Sequence, residues 1–275
     1  MLNRVVLITG ASSGIGRATA LQLLTRGATV VAGARNTPAL IPLHDAGADT
    51  IALDVTDAES RANAVEHVVS RHGRLDVLIN NAGYGPLAPI EETSDELWES
   101  ILATNVIGPA ALARSALPVM RRQGGGTIIN IGSMGGEFTT PLGGAYHASK
   151  YAVEALTDAL RAEAKPFGVK VALVQPGPVR TPMADSAANV VVAEESPYRG
   201  AAEHMAETYA NMRDSRALLK PEQVAAVVVR AASATRPRAR YKVGPVAHVM
   251  PFLRRSLPIG TWDAMVSRQA GLNRM

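Results

Sequence analysis

The chain has 275 residues, 47% of them hydrophobic, and 28 Lys and Arg against 24 Asp and Glu give a formal net charge of +4. Cysteine is absent, which excludes disulfides, thiolate catalysis and thiolate metal sites. Basic residues are scattered apart from local groups such as Arg236-Pro237-Arg238-Ala239-Arg240, so neither a basic stripe nor a reading module points to nucleic acid.

Met1-Leu2-Asn3-Arg4 leads straight into a strand with no signal-peptide pattern. No apolar run reaches the length of a membrane span, and the expectation is a cytoplasmic protein. Arg4 to Thr9 is a short, nearly continuous apolar run bounded by glycine, as a buried parallel strand requires. A helix is predicted from Gly14 to Arg26, then strands over Thr29–Ala34 and Ala48–Leu53. A helix over Asp57–His72 opens on a capping-box pattern at Thr56 and Glu59. Leu75–Asn80 is a fourth strand. One long helix is expected from Asp95 to Arg122, with Thr93 and Glu96 at capping-box spacing. Thr127–Ile131, a helix over Tyr146–Lys165 and Val169–Val174 continue the alternation.

Strand and helix alternate in this way throughout, which defines an α/β fold with a doubly wound parallel, Rossmann-like sheet and helices on both faces. The alternation fails from Asp185 to Arg216, read as a helical insertion that serves as a substrate lid. It resumes with a helix over Pro221–Ala232 and a strand over Arg240–Val243. The expected organisation is one domain over 1–275, with a core of 1–184 and 217–244, a lid over 185–216 and a C-terminal extension over 245–275. That extension has three destinations: the substrate cleft, a subunit interface or a membrane surface. Pro251 and Pro258 interrupt its amphipathic pattern and favour packing on the protein's own body.

Directly after the first strand, Thr9-Gly10-Ala11-Ser12-Ser13-Gly14-Ile15-Gly16 spaces glycines as G-x-x-x-G-x-G. Glycine permits the tight turn and lets backbone approach a pyrophosphate, and the amides of the following helix then face the anion. An acid that binds the adenosine ribose is expected at the end of the second strand. The chain instead has Gly33-Ala34-Arg35-Asn36 and no acid before Asp45. A guanidinium there binds a 2′-phosphate that a carboxylate would repel, so Arg35 predicts NADP(H) in preference to NAD(H), with Arg17 adding to the positive field. The plain alternative is a solvent-exposed arginine.

Tyr146 and Lys150 stand one helical turn apart in Tyr146-His147-Ala148-Ser149-Lys150, downstream of Ser133. An ammonium beside a phenol favours the phenolate. His147 points to a different helical face and reads as a bystander or a pocket-wall residue. No His, Asp or Glu cluster has metal-ligand spacing, and no metal is expected.

With these motifs in order from Arg4 to Met183, the chain resembles the short-chain dehydrogenases/reductases. Thr9 to Gly16 matches the family's glycine loop, with Gly10, Ser12, Ser13, Gly14, Ile15 and Gly16 at the cofactor. Asp54-Val55 matches the pair that contacts adenine, and Asn80-Asn81-Ala82-Gly83 the motif that stabilises the sheet and lines the cofactor site. Asn105, Ser133, Tyr146 and Lys150 fall on the catalytic tetrad. Pro176-Gly177-Pro178-Val179-Arg180-Thr181 matches the segment at the nicotinamide end, with Pro176, Gly177, Val179 and Thr181 as cofactor residues. The likeness is greatest to NADP(H)-preferring, ketone-reducing members similar to 17β-hydroxysteroid and retinol dehydrogenases.

The resemblance implies hydride transfer between nicotinamide and a carbonyl or secondary alcohol. Tyr146 is then the general acid/base, Ser133 binds the substrate oxygen, Lys150 lowers the tyrosine pKa and holds the ribose, and Asn105 anchors a proton relay. It also implies a homodimer or homotetramer, although the chain continues past its last strand where many family reductases end. A catalytically silent NADP(H)-binding sensor and a non-redox lyase or epimerase are the alternatives. Tyr84–Leu87, Met134–Leu142 and Pro182–Met212 are expected to line the substrate pocket. Met134, Phe138, Leu142, Met183, Met205 and Met212 give it an apolar surface, and only Arg199 and Arg213 offer a positive charge. The expected partner is a neutral, fairly lipophilic carbonyl or alcohol, with no nucleic acid and no integral membrane segment. Peripheral membrane contact is left open.

Overall fold

A computed structural model describes residues 3–183, 190–212 and 218–274. Strands β1 (Val5–Thr9), β2 (Thr29–Ala34), β3 (Asp49–Ala52), β4 (Val77–Asn80), β5 (Gly126–Ile131), β6 (Val169–Pro176) and β7 (Arg240–Val243) form one sheet. Its order is β3-β2-β1-β4-β5-β6-β7, and every pairing is parallel. The order reverses between β1 and β4, and the carboxyl ends of the strands at that point form the crevice where such sheets bind ligands.

The helices are α1 (Gly14–Leu24), α2 (Ile41–Asp45), α3 (Ala58–His72), α4 (Asp95–Leu102), α5 (Gly108–Arg122), α6 (Gly144–Ala164), α7 (Arg199–Met212), α8 (Pro221–Ser233), α9 (Val246–Ser256) and α10 (Ile259–Gln269). The period-two alternation of β1 divides the core. Val6 and Ile8 join an apolar cluster with α1 and α8 on one face, while Val5 and Leu7 join α3 and α5 on the other. Both faces are covered, which is why the strands read as continuous apolar runs.

Several boundaries differ from the sequence reading, each for a local reason. Asp57, not Thr56, caps α3 by accepting from the Ser60 amide at 2.6 Å, and Thr56 turns back to Asp54. Ser94, not Thr93, caps α4, because the Thr93 hydroxyl donates to the Pro89 carbonyl instead. The expected long helix is divided: a π-turn over Ala103–Ile107 separates α4 from α5, with Asn105 buried inside it. The short helix α2 follows a turn opened by Pro38, carries Pro42 in its own first turn and was not apparent in the sequence pattern.

The extension forms two helices. Pro251 lies inside α9 and does not interrupt it, whereas Pro258 caps α10 and sets the bend between them. Both pack on the body through Trp262, which is 2% exposed and meets the Phe138 ring edge-on at 5.7 Å. Of the expected lid, 190–198 and α7 are described; the parts of it over 185–189 and 213–216 lie outside the described residues.

Candidate active site

The crevice holds a cavity of about 670 Å³. The glycine loop forms one end. Gly10 and Gly14 adopt positive φ, 63° and 53°, which only glycine does at low cost. A Cβ on Gly10 would lie 2.8 Å from the Ala82 Cα, and one on Gly16 would overlap the Gly10 carbonyl. Asn81 fastens the loop from behind, donating to the carbonyls of Thr9 (2.9 Å) and Gly10 (3.1 Å). The Thr9 hydroxyl accepts from the amides of Asn81 and Ala82. Ser13 precedes α1 in extended conformation without capping it through its side chain, and the first turn carries no acid. A helix end of this kind presents amide donors and a positive dipole to an anion.

Arg35, at the carboxyl end of β2, is exposed and lines the cavity. Asp54 lies close enough for the Arg35 charge to help hold its carboxyl below the usual range, although partial burial opposes this and the Thr56 hydrogen bonds contribute more. Arg17 is not among the lining residues.

At the inner end Ser133 follows β5. Its Oγ accepts from the Gly135 amide at 3.1 Å and lies near enough to the Tyr146 hydroxyl to favour the phenolate. Lys150, 7% exposed, stands one turn along α6 and donates to the Ile131 carbonyl at 3.1 Å. Its Nζ is 5.7 Å from the centre of the Tyr146 ring. Burial brings Lys150 down to about 8. Burial pushes Tyr146 up, the neighbouring Ser133 hydroxyl opposes that, and the nearby Tyr209 phenol adds to it. The phenolate-favouring pair expected from the spacing is therefore not what the site holds. The ammonium is turned to a carbonyl, and desolvation of the phenol dominates.

Asn105 is held behind this wall by the π-turn. It accepts from the Tyr84 amide (3.0 Å) and donates to the Tyr84 carbonyl (2.8 Å) and Ser149 Oγ (2.9 Å).

Of the sequence-predicted site residues, the cavity is lined by Gly10, Ser12, Ser13, Gly14, Ile15, Arg35, Asp54, Val55, Asn81, Ala82, Gly83, Ser133, Tyr146, Lys150, Pro176, Gly177, Val179 and Thr181. Gly16 and Asn105 stand behind it. On the substrate side Leu142 is buried in a neighbouring apolar cluster and does not line the cavity. Arg199 folds back to the carbonyls of Ala193 and Glu194, and Arg213 lies outside the described residues. Sequence reasoning missed Val246, Met250, Val266, Gln269 and Ala270 of the extension, which also line the cavity. Gly85, inside the expected 84–87 lining, does line the cavity, and a Cβ there would overlap the Tyr146 ring.

Among the described residues there is no group of acids and histidines fit to hold a metal, and no helix is long and apolar enough to cross a membrane.

A parallel sheet with a glycine loop at its switch point and a Ser–Tyr–Lys group at the same edge defines a nucleotide-binding oxidoreductase of the Rossmann type. Residues 4–190 match the family model for short chain dehydrogenase, and the chain belongs to the short-chain dehydrogenase/reductase family. It is 36% identical over 256 residues to the 3-ketodihydrosphingosine reductase of Bacteroides thetaiotaomicron, covering 91% of each chain. A short-chain dehydrogenase from Streptomyces avermitilis superposes with a TM-score of 0.80 at 33% identity, over 99% of this chain and 98% of the other. A family member from Burkholderia phymatum, solved in complex with NAD, gives a TM-score of 0.81 at 28% identity over 92% and 93% of the two chains.

Proposed function

We propose that the chain is an NADP(H)-dependent oxidoreductase acting between a carbonyl and a secondary alcohol of a neutral, fairly lipophilic substrate. The observation that carries this reading is the grouping of Ser133, Tyr146 and Lys150 in the same cavity as the glycine loop, with Lys150 Nζ 5.7 Å from the centre of the Tyr146 ring. The residues fit a dinucleotide, because glycine at 10 and 14 lets the loop pass close to Ala82 and Thr181 beside the cavity and the α1 amides lack a side-chain cap. The loop from Gly10 to Gly16 would hold the pyrophosphate, Asp54 and Val55 the adenine, and Arg35 the 2′-phosphate. Asn81, Ala82 and Gly83 would form the back wall, and Pro176, Gly177, Val179 and Thr181 the nicotinamide end. When bound, the nicotinamide supplies or takes up the hydride.

The remaining chemistry belongs to the chain. Tyr146, kept protonated by burial, gives its proton to the substrate oxygen in reduction and takes it back in oxidation. Ser133 uses a lone pair on the Gly135 amide, which leaves its hydroxyl proton for the charge that develops on that oxygen. Lys150 holds ribose hydroxyls and, with Asn105, returns the proton. The lining residues Phe138, Met205, Met250 and Val266 give the substrate end its apolar character. The 3-ketodihydrosphingosine reductase relative is named for reducing a ketone, which supports the carbonyl/alcohol reaction.

The proposed organisation is a single domain with a lid and a cavity-lining extension, cytoplasmic and homodimeric or homotetrameric, which gel filtration with light scattering tests. For the activity, NADPH consumption across a panel of hydrophobic ketones and aldehydes is the direct assay. NADPH binding without turnover of any of them would favour a silent sensor instead.

A further inference from the structure

His147 does more than line a wall. Its imidazole is 7% exposed, and both nitrogens are engaged by the loop that follows Ser133. Nδ1 lies 2.9 Å from the Gly135 carbonyl, which can only accept, so Nδ1 carries the proton. Nε2 lies 3.3 Å from the Thr140 amide, which can only donate, and 3.1 Å from the Thr140 hydroxyl. The two contacts together require one neutral tautomer. The loop is also shaped to this ring. A Cβ on Gly135 would lie 2.8 Å from Nδ1, and one on Gly143 would lie 2.8 Å from Cδ2.

These bonds connect the serine to α6. Ser133 Oγ accepts from the Gly135 amide, and the Gly135 carbonyl accepts from His147, the residue next to Tyr146, which lines the same cavity as Ser133. Without His147, the Gly135 carbonyl loses its bond to α6 and Thr140 its acceptor. The segment would then be held by its own turn and by the Glu137 bonds to Gln175, Lys242 and Arg255, none of which involves the Gly135 carbonyl.

We propose that neutral His147 is a positioning residue, tying Gly135 and Thr140 to α6 so that the Ser133 hydroxyl is held beside Tyr146. Protonation would put an Nε2–H against the Thr140 N–H. Burial opposes that charge and holds His147 below the ordinary histidine value, while the Gly135 bond partly offsets the effect. The titratable group that faces it is Tyr146, whose ring centre lies 5.7 Å from its own; Glu137, further along the loop, is paired with Lys242 and Arg255.

The inference rests on the proposed oxidoreductase chemistry, but half of its test does not. In the full-length enzyme, His147→Ala should lower kcat about 10- to 100-fold, as misplacement of a catalytic group does, with KM for NADPH unchanged within about twofold. His147→Asn, which keeps a donor near the Nδ1 position, should recover most of the loss. Hydrogen exchange measured without nucleotide should quicken over 134–142 in the alanine variant and less in the asparagine variant. A kcat for His147→Ala within twofold of wild type, or unchanged exchange over 134–142, would overturn the proposal. So would an asparagine variant no better than alanine. Should wild type turn over no ketone, the oxidoreductase reading fails, and the exchange measurement alone still decides whether His147 holds the loop. If the alanine variant does not fold, the asparagine variant is compared with wild type in both measurements and decides by the same criteria.

Discussion

The two ends of the cavity are built by opposite means. The glycine-loop end is made of backbone: positive-φ glycines, a helix terminus without a side-chain cap, and one asparagine tying carbonyls together. The serine-loop end is made of side chains, with Ser133, His147 and Lys150 each bonded to backbone around Tyr146 and covered by Phe138 and Trp262. A backbone cradle requires little beyond glycine spacing and tolerates change elsewhere. A side-chain cluster depends on several groups at once, so single substitutions should act more strongly there.

The comparison would break if Tyr146→Phe were mild. Loss of the phenol hydroxyl removes the proposed acid while leaving ring packing against Gly85, and kcat should fall by about 10² to 10⁴. NADPH binding, followed by fluorescence titration, should persist. Trp262→Ala probes the covering side chains. Emptying a site 2% exposed should cost about 3–5 kcal/mol of stability, read by urea unfolding, and should raise KM for an apolar ketone more than KM for NADPH.

Lys150 sharpens the contrast by separating stability from function. Its fall from 10.5 to about 8 means that the fold disfavours the ammonium by about 3 kcal/mol near neutral pH. Because the folded value is depressed, the stability that the neutral amine permits is present above about 10.5 and lost as pH falls through about 8. Lys150→Met should therefore be inactive yet more stable at pH 7 in the absence of nucleotide. Its advantage should shrink as pH rises from 8 towards 10.5 in thermal melts.

The smallest effect belongs to the backbone-built end. Arg35→Asp should weaken NADPH relative to NADH by about 1.5–3 kcal/mol, the value of a hydrogen bond to a charged group, seen as a change in the ratio of kcat/KM for the two cofactors. Unchanged selectivity would remove Arg35 from the 2′-phosphate site.

The same contrast explains what could be read from the sequence. β2 was legible to the residue because an apolar run meets turn residues at both ends, and β7 because Tyr241 and Val243 alternate with Arg240 and Lys242 before Gly244. The glycine loop was legible because its chemistry is local and its spacing contiguous. The π-turn at Asn105 was not, because an i→i+5 ladder is settled by packing against Tyr84 and Ser149 and leaves no pattern in the residues themselves. The helices of the extension were hidden because Pro251 reads as a breaker, yet α9 accommodates it. His147 was discounted because neighbours on a helix face apart. The loop comes round to meet it, a contact between segments that the one-dimensional pattern does not record.

The central claim is that both ends serve one hydride transfer. NADPH deuterated at the transferred position of nicotinamide C4 can be incubated with an apolar ketone and the alcohol product examined by mass spectrometry. Deuterium at the carbinol carbon with wild type, and very little labelled alcohol with Tyr146→Phe, is the predicted result. Absence of labelled alcohol with wild type across the ketone panel, or equal labelling in the phenylalanine variant, would contradict the account.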